Sequence, residues 1–369
     1  MFSRQLTRVC AVPLVLLLLA SPVAASETYF GADLSFSNQM NDCGAVYKDG
    51  GVATDVYTIF KNHGANLVRI RLWTDGNQTA YSTLADVEKS MRRAKAAGMQ
   101  VLLDFHYSDS WADGDKQIVP KAWVSLDSGA QAKALYDYTF STLTTLDHEG
   151  LMPDVVQVGN EINQEMLGQP DWKKDHPIDW TRNALIINAG IKAVRDAGAK
   201  SAVKPRVMLH IAQPENVEPW FVAATKAGVT DYDIIGISYY SKWSKYSIAN
   251  LGTEIYRLTH LYKADVMVVE TGYVWTLAWN DTTPNVLGDD SVVRGYPATR
   301  EGQKKFLVDV TQAVLANGGT GVIYWAPDWV STDCKTQWGR GSGWENATLF
   351  DFDGETLPGI DFMKPPQTK

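Results

Sequence analysis

Eight short apolar runs recur along the chain, at 28–35, 66–73, 100–107, 154–161, 206–213, 233–240, 265–273 and 321–327. Each is rich in Val, Ile and aromatic residues, and none alternates strictly between apolar and polar positions. Strands buried on both faces of a parallel sheet read this way. Between the runs the spacing changes to that of amphipathic helices. In "TLADVEKSMRRAKAAG", Ser82 or Thr83 supplies a cap and Gly98 a stop; "TRNALIINAGIKAVRDAG" and "TREGQKKFLVDVTQAVLANGG" also end on glycine. Alternating β and α elements predict a parallel sheet. Eight units over 28–327 average roughly 37 residues each, the size of a (β/α)8 barrel. No Pro/Gly/Ser-rich linker interrupts them. The fold expected is α/β, a single (β/α)8 TIM barrel within 26–369. An open doubly wound sheet is the alternative, but no GxGxxG turn follows the first run.

The first 25 residues stand apart. Arg4 and Arg8 precede the apolar stretch "VPLVLLLLASPVAAS", which is too short to span a bilayer and ends in small residues. This is the pattern of a secretory signal peptide cleaved after Ala25, and it predicts a secreted or periplasmic protein with no membrane contact in its mature form. Losing two arginines and no acid takes the net charge from −8 to −10. An acidic chain is not drawn to nucleic acid or to anionic polymers. Cys10 leaves with the leader, so Cys43 and Cys334 remain, enough for one disulfide in an exported protein. Aromatics reach 11%, with 13 Trp, a composition that suits either a Trp-rich core or flat faces for sugar rings.

In a barrel of this class the active site lies at the C-terminal ends of the strands. Those ends are polar here: Asp33, Arg71, His106, Asn160 with Glu161, His210, Tyr239 with Tyr240, Glu270 and Trp325. A lone Glu at a strand end is usually a cap or a salt-bridge partner. Glu161 and Glu270 close the fourth and seventh runs, which face each other across a barrel mouth. Paired carboxylates across a cleft are what acetal hydrolysis needs, one to protonate the leaving oxygen and one to attack.

Six segments sharpen this reading. "VGNEIN" and "VVETGY" resemble the acid/base and nucleophile strands of retaining (β/α)8 glycoside hydrolases. "HYSDSWADGDKQIVPKAW" (106–123), with "ANLVRIRLW", "ISYYSKW" and "GSGWENATLFDFDG", is similar to the endo-β-1,4-galactanases of glycoside hydrolase family 53. The resemblance covers nearly all of the mature chain. It implies double displacement on β-1,4-galactan, the side-chain polysaccharide of pectin, with Glu161 as acid then base and Glu270 as nucleophile. It also implies a monomer and substrate binding by His106 and His210.

Physical arguments fill in the neighbours. Asn160 is placed to hydrogen-bond the sugar 2-OH. Arg69 and Arg71 share one strand face, and Arg71, nearer the strand end, is expected to hold Glu270 ionised. Of Tyr239 and Tyr240, Tyr239 is the expected hydrogen-bond donor to the nucleophile. Trp325, Trp329 and Trp275 are candidate stacking platforms. Two positions depart from the family pattern, Gly168 for Trp and Ala326 for Glu, and both bear on chain-length preference.

The loops carrying Cys43 and Cys334 follow the first and last strands, neighbours where a barrel closes, so a Cys43–Cys334 disulfide is predicted. No HExxH or EF-hand spacing is present. Some relatives carry calcium in late loops, and "WNDTTPNVLGDD" (279–290) holds acids for it, but the expectation is a solvated loop, no cofactor and no metal. Asn77, Asn280 and Asn346 are glycosylation sequons. Another barrel endo-glycanase, a mannanase or glucanase, shares the carboxylate pair, and a non-catalytic sugar-binding homologue or an uptake-system binding protein are readings from other classes.

Overall fold

The computed structural model describes residues 27–75, 79–336 and 339–364; the expected leader, Cys10 and the Asn77 sequon lie outside them. Eight parallel strands close into a barrel: β1 (Tyr29–Asp33), β2 (Leu67–Leu72), β3 (Gln100–Phe105), β4 (Val155–Val158), β5 (Arg206–Ala212), β6 (Ile234–Tyr239), β7 (Asp265–Thr271) and β8 (Gly321–Tyr324). Each neighbours the next in sequence, and β1 closes the ring on β8 with Tyr29 opposite Gly321. All eight predicted runs are barrel strands.

The crossover helices carry side-chain caps, Thr83 among them as expected. Thr83 accepts from the Asp86 N–H to start Leu84–Ala96, and Thr299 accepts from Gly302 to start Arg300–Ala316. Gly198 departs from its expected role. The helix Trp180–Lys200 runs past it, and a Cβ there would meet Pro205 at 2.9 Å, so this glycine permits a close approach rather than a stop.

The barrel separates two apolar regions. Between strands and helices lies the main core, with Leu103, Val156, Ile235 and Val268 among its strand residues. Inside the barrel, Tyr29, Leu67, Leu102, Val155, Met208, Ile234, Met267, Val269 and Ile323 form a separate apolar floor to which every strand contributes. Successive side chains on a strand alternate faces, so the next lumen positions up are Arg69, Asp104, Gln157, His210 and Gly236. The lumen is apolar below and polar above.

Cys43 and Cys334 are bonded, with Cα atoms 5.5 Å apart, across 291 residues of sequence. The bond ties the loop after β1 to the loop after β8, as predicted. Among the described residues no helix is long and apolar enough to cross a membrane, and no three His, Cys, Asp or Glu side chains converge as metal ligands. The acids of the 279–290 loop are engaged by the chain itself: Asp281 accepts from the N–H groups of Thr283 and Ser342, and Asp290 pairs with Lys242.

Candidate active site

Arg69 organises the upper lumen. Its Nη1 donates to Asp33 (2.8 Å) and Glu270 (2.7 Å), its Nη2 to Asp104 (2.8 Å) and Asn160 (2.7 Å), and its Nε to Gln157 (3.1 Å). All five N–H groups of a buried guanidinium are satisfied, the condition under which burying the charge is tolerable. This corrects the expectation for Arg71. Two residues along a strand are about 6.6 Å, so Arg71 stands one rung above Glu270. It bonds Ser82 and lies over the rings of Trp111 (4.1 Å), Phe36 (4.8 Å) and Trp73 (5.1 Å). Burial there pushes its guanidinium down to about 10.

Glu270 faces the lumen through an irregularity of β7. The register with β6 jumps from Ile237 opposite Val268 to Ser238 opposite Glu270, leaving Val269 unpaired. Val269 belongs to the apolar floor, so strict alternation would turn Glu270 outward. The extra residue turns it back, as bulges beside active sites do. Besides Arg69, its carboxylate accepts from the Tyr240 hydroxyl at 3.1 Å. Tyr239, the expected donor, points the other way: it bonds the Tyr246 carbonyl and stacks on Phe306 in the outer core. Counting in twos from Ile234 in the floor gives Gly236, Ser238 and Tyr240 as the lumen positions.

Glu161 is reached by a turn. The run expected to extend to 161 leaves strand geometry after Val158; Gly159 has φ +87° and Glu161 itself φ +45°. A non-glycine residue in that region is strained, and such strain persists where the surroundings over-determine it. Tyr107, Gln213 and Ala326 adopt the same φ sign just after β3, β5 and β8, so the strain gathers on one rim. The Glu161 N–H points at His210 Nδ1 (3.3 Å), and the Gln117 side chain donates to the Asn160 carbonyl (2.8 Å). The carboxylate accepts from Ser238 Oγ at 2.5 Å on Oε1 and from the Gly114 N–H at 3.1 Å on Oε2. Gly114 and Gln117 come from the 106–123 segment, which thus clamps the Asn160–Glu161 turn.

Both carboxylates line one cleft of about 710 Å³, within the size of ligand pockets. Trp111, Trp243, Trp325 and Trp344 form much of its wall. Trp325 is where the sequence placed it; the other three were not singled out, because loop conformation decides which tryptophans reach the cleft. Trp329 is buried, stacked on Phe36 at 4.3 Å, and Trp275 packs on Phe352; neither lines the cleft. His106 and His210 also differ from expectation. Both are buried below the cleft surface, where His106 Nε2 meets Asp104 at 3.0 Å and His210 Nε2 meets Ser238 at 2.8 Å. They brace other groups. Asn160 does line the cleft, although its side chain already serves Arg69 and the Ala112 carbonyl.

Burial raises both carboxyl groups; the Arg69 charge draws Glu270 back down, while repulsion from the nearby carboxylates of Glu161, Asp33 and Asp104 pushes it up. Two such groups titrate as a pair. The contacts favour placing their shared proton on Glu161, since Arg69 and Tyr240 both favour charge on Glu270 and, among the described residues, no cation touches Glu161. One acid and one base thus face the same space, the division that acetal hydrolysis requires.

Comparison with known proteins agrees with this chemistry. The model for glycosyl hydrolase family 53 matches residues 29–363. The chain is 49% identical over 359 residues to the arabinogalactan endo-beta-1,4-galactanase of Cellvibrio japonicus, covering 96% of each chain. It is 34% identical to the endo-beta-1,4-galactanase of Bacillus subtilis, over 90% of this chain and 85% of that one. The Ignisphaera aggregans GH53 catalytic domain superposes with a TM-score of 0.84 at 31% identity, covering 93% of this chain and 97% of that domain. With a family model spanning the whole barrel and a relative this similar along its length, the chain belongs to glycosyl hydrolase family 53.

Proposed function

We propose that this protein is an endo-acting hydrolase of β-1,4-galactan that works by retaining double displacement. The observation that carries the reading is the asymmetric pair: Glu270 held by Arg69 and Tyr240, and Glu161 held, among the described residues, by the Ser238 hydroxyl and the Gly114 N–H. Glu270 attacks the anomeric carbon while Glu161 gives its proton to the departing glycosidic oxygen. Glu161, now ionised, takes a proton from water as that water attacks the same carbon and releases Glu270. The 49% identical relative supports galactan as the polymer, and with it the galactan side chains of pectin as partner. Export after cleavage behind Ala25, action as a monomer without cofactor, and galactosyl stacking on Trp325 are parts of the same reading.

The test is reducing-sugar release from debranched β-1,4-galactan, beside β-mannan and carboxymethyl cellulose, with Glu270→Ala as control. Activity on galactan alone, lost in the variant, is expected. Activity on mannan or cellulose instead would overturn the substrate, and none on any polymer would leave a binding protein. Proton NMR of the first products should show the β anomer; initial α product would exclude double displacement.

A further inference from the structure

Ser238 has no place in the two-step scheme, yet it is fully buried and stands in register with Glu270 at the bulge. Its single hydroxyl lies 2.5 Å from Glu161 Oε1 and 2.8 Å from His210 Nε2. A hydroxyl has one hydrogen, so it donates to one of these partners and accepts from the other.

The far side of His210 decides which. Its Nδ1 lies 3.3 Å from the Glu161 backbone N–H, which can only donate, and 3.1 Å from the Gln157 side-chain nitrogen. The Gln157 amide is itself oriented, since its oxygen accepts from Arg69 and its nitrogen donates to Asp104 at 2.6 Å. Asn160 Oδ1, 3.0 Å from the same Nδ1, already accepts from Arg69 at 2.7 Å. Nδ1 is therefore the acceptor and Nε2 carries the hydrogen. His210 donates to Ser238, and the Ser238 hydrogen is directed at Glu161 Oε1.

We propose that Ser238 is a positioning residue whose hydrogen bond, fixed in direction by His210, blocks Oε1 of Glu161 and assigns the transferable proton to Oε2. This rests on Glu161 being the acid/base. Oε2 accepts from the Gly114 N–H and keeps a second lone pair for the proton that is passed to the leaving oxygen and later recovered from water. A donor on Oε1 favours the ionised carboxylate, so Ser238 opposes the rise that burial imposes on Glu161. The titratable groups around these donors are Arg69, Asp104, His106, Asp113, Tyr240 and Glu270. His210 is held neutral, because burial and the Arg69 charge push its imidazole well below the usual range.

The experiment is the pH profile of kcat/KM on β-1,4-galactan for wild type, Ser238→Ala, Ser238→Thr and Glu161→Ala. Loss of the hydroxyl should move the alkaline limb up by about one pH unit, and the threonine variant should bring it back. A packing role would not move that limb. An unmoved limb in folded Ser238→Ala, with Glu161→Ala inactive, overturns the proposal alone; an active Glu161→Ala overturns the acid/base reading beneath it. Should the Ser238 variants fail to fold, 15N NMR of histidine-labelled wild type decides, with His210 assigned by the signal lost in His210→Asn. A neutral Nε2–H tautomer supports the chain of donors, and an Nδ1–H tautomer overturns it.

Discussion

Exchanging either of two adjacent tyrosines for phenylalanine removes one oxygen, with opposite expected consequences. Tyr240 donates to Glu270 Oε2 at 3.1 Å, and Tyr239 donates to the Tyr246 carbonyl at the same distance. A hydrogen bond to a charged group contributes about 1.5–3 kcal/mol and a neutral one about 0.5–1.5 kcal/mol. At about 1.4 kcal/mol per factor of ten, Tyr240→Phe should lower kcat/KM on galactan by about 10- to 150-fold. It also removes a donor that favours ionised Glu270, so the acidic limb of the pH profile should move up. Tyr239→Phe should leave kcat/KM within about twofold and show only a small fall in Tm. Steady-state rates of both variants across pH, with Tm recorded alongside, measure all of this. Loss of activity in Tyr239→Phe, or wild-type kcat/KM in Tyr240→Phe, would refute the placement of Tyr240 against the nucleophile.

Other consequences are equally open to measurement. Arg69→Met leaves the Asp33, Asp104 and Glu270 carboxylates around one buried space without the cation they share, so urea denaturation should show a loss of about 3–5 kcal/mol; a loss under about 1 kcal/mol would contradict the network. Asp328 is buried with neither carboxyl oxygen hydrogen-bonded among the described residues, and burial raises it to about 8. Its folded pKa lies above its unfolded one, so its stabilising contribution is complete below about pH 4 and drains away up to about pH 8. Asp328→Asn should therefore raise Tm more at pH 9 than at pH 5, and an equal change at both would refute it. Replacing Cys43 and Cys334 by Ser should cost about 2–5 kcal/mol while leaving galactan hydrolysis at 25 °C intact, since the bond lies outside the cleft.

The parts of the site that the sequence disclosed are those governed by short-range rules. Apolar runs at barrel spacing, Thr83 as a cap, and carboxylates closing the fourth and seventh strands were all read from local pattern. The Cys43–Cys334 pairing followed because a closed barrel makes its first and last strands neighbours. Arg71 was preferred over Arg69 for being nearer its strand end, whereas depth in the lumen and facing direction decide which arginine and which tyrosine make contact. Period two, counted from Ile234, would have turned Tyr240 inward. No comparable count could have found Ser238 opposite Glu270, because Val269 breaks the period.

The sequence by itself determined the barrel, its closure and the chemistry available on its rim, because periodicity, capping and strand order act over a few residues or follow from topology. Only the tertiary structure decided which arginine meets the nucleophile, which tyrosine donates to it and which tryptophans wall the cleft. Those contacts depend on the stagger between strands, on one bulge in β7 and on the left-handed turn at Glu161. Each shifts a side chain by a rung or a face, and a rung of about 6.6 Å is twice the reach of a hydrogen bond.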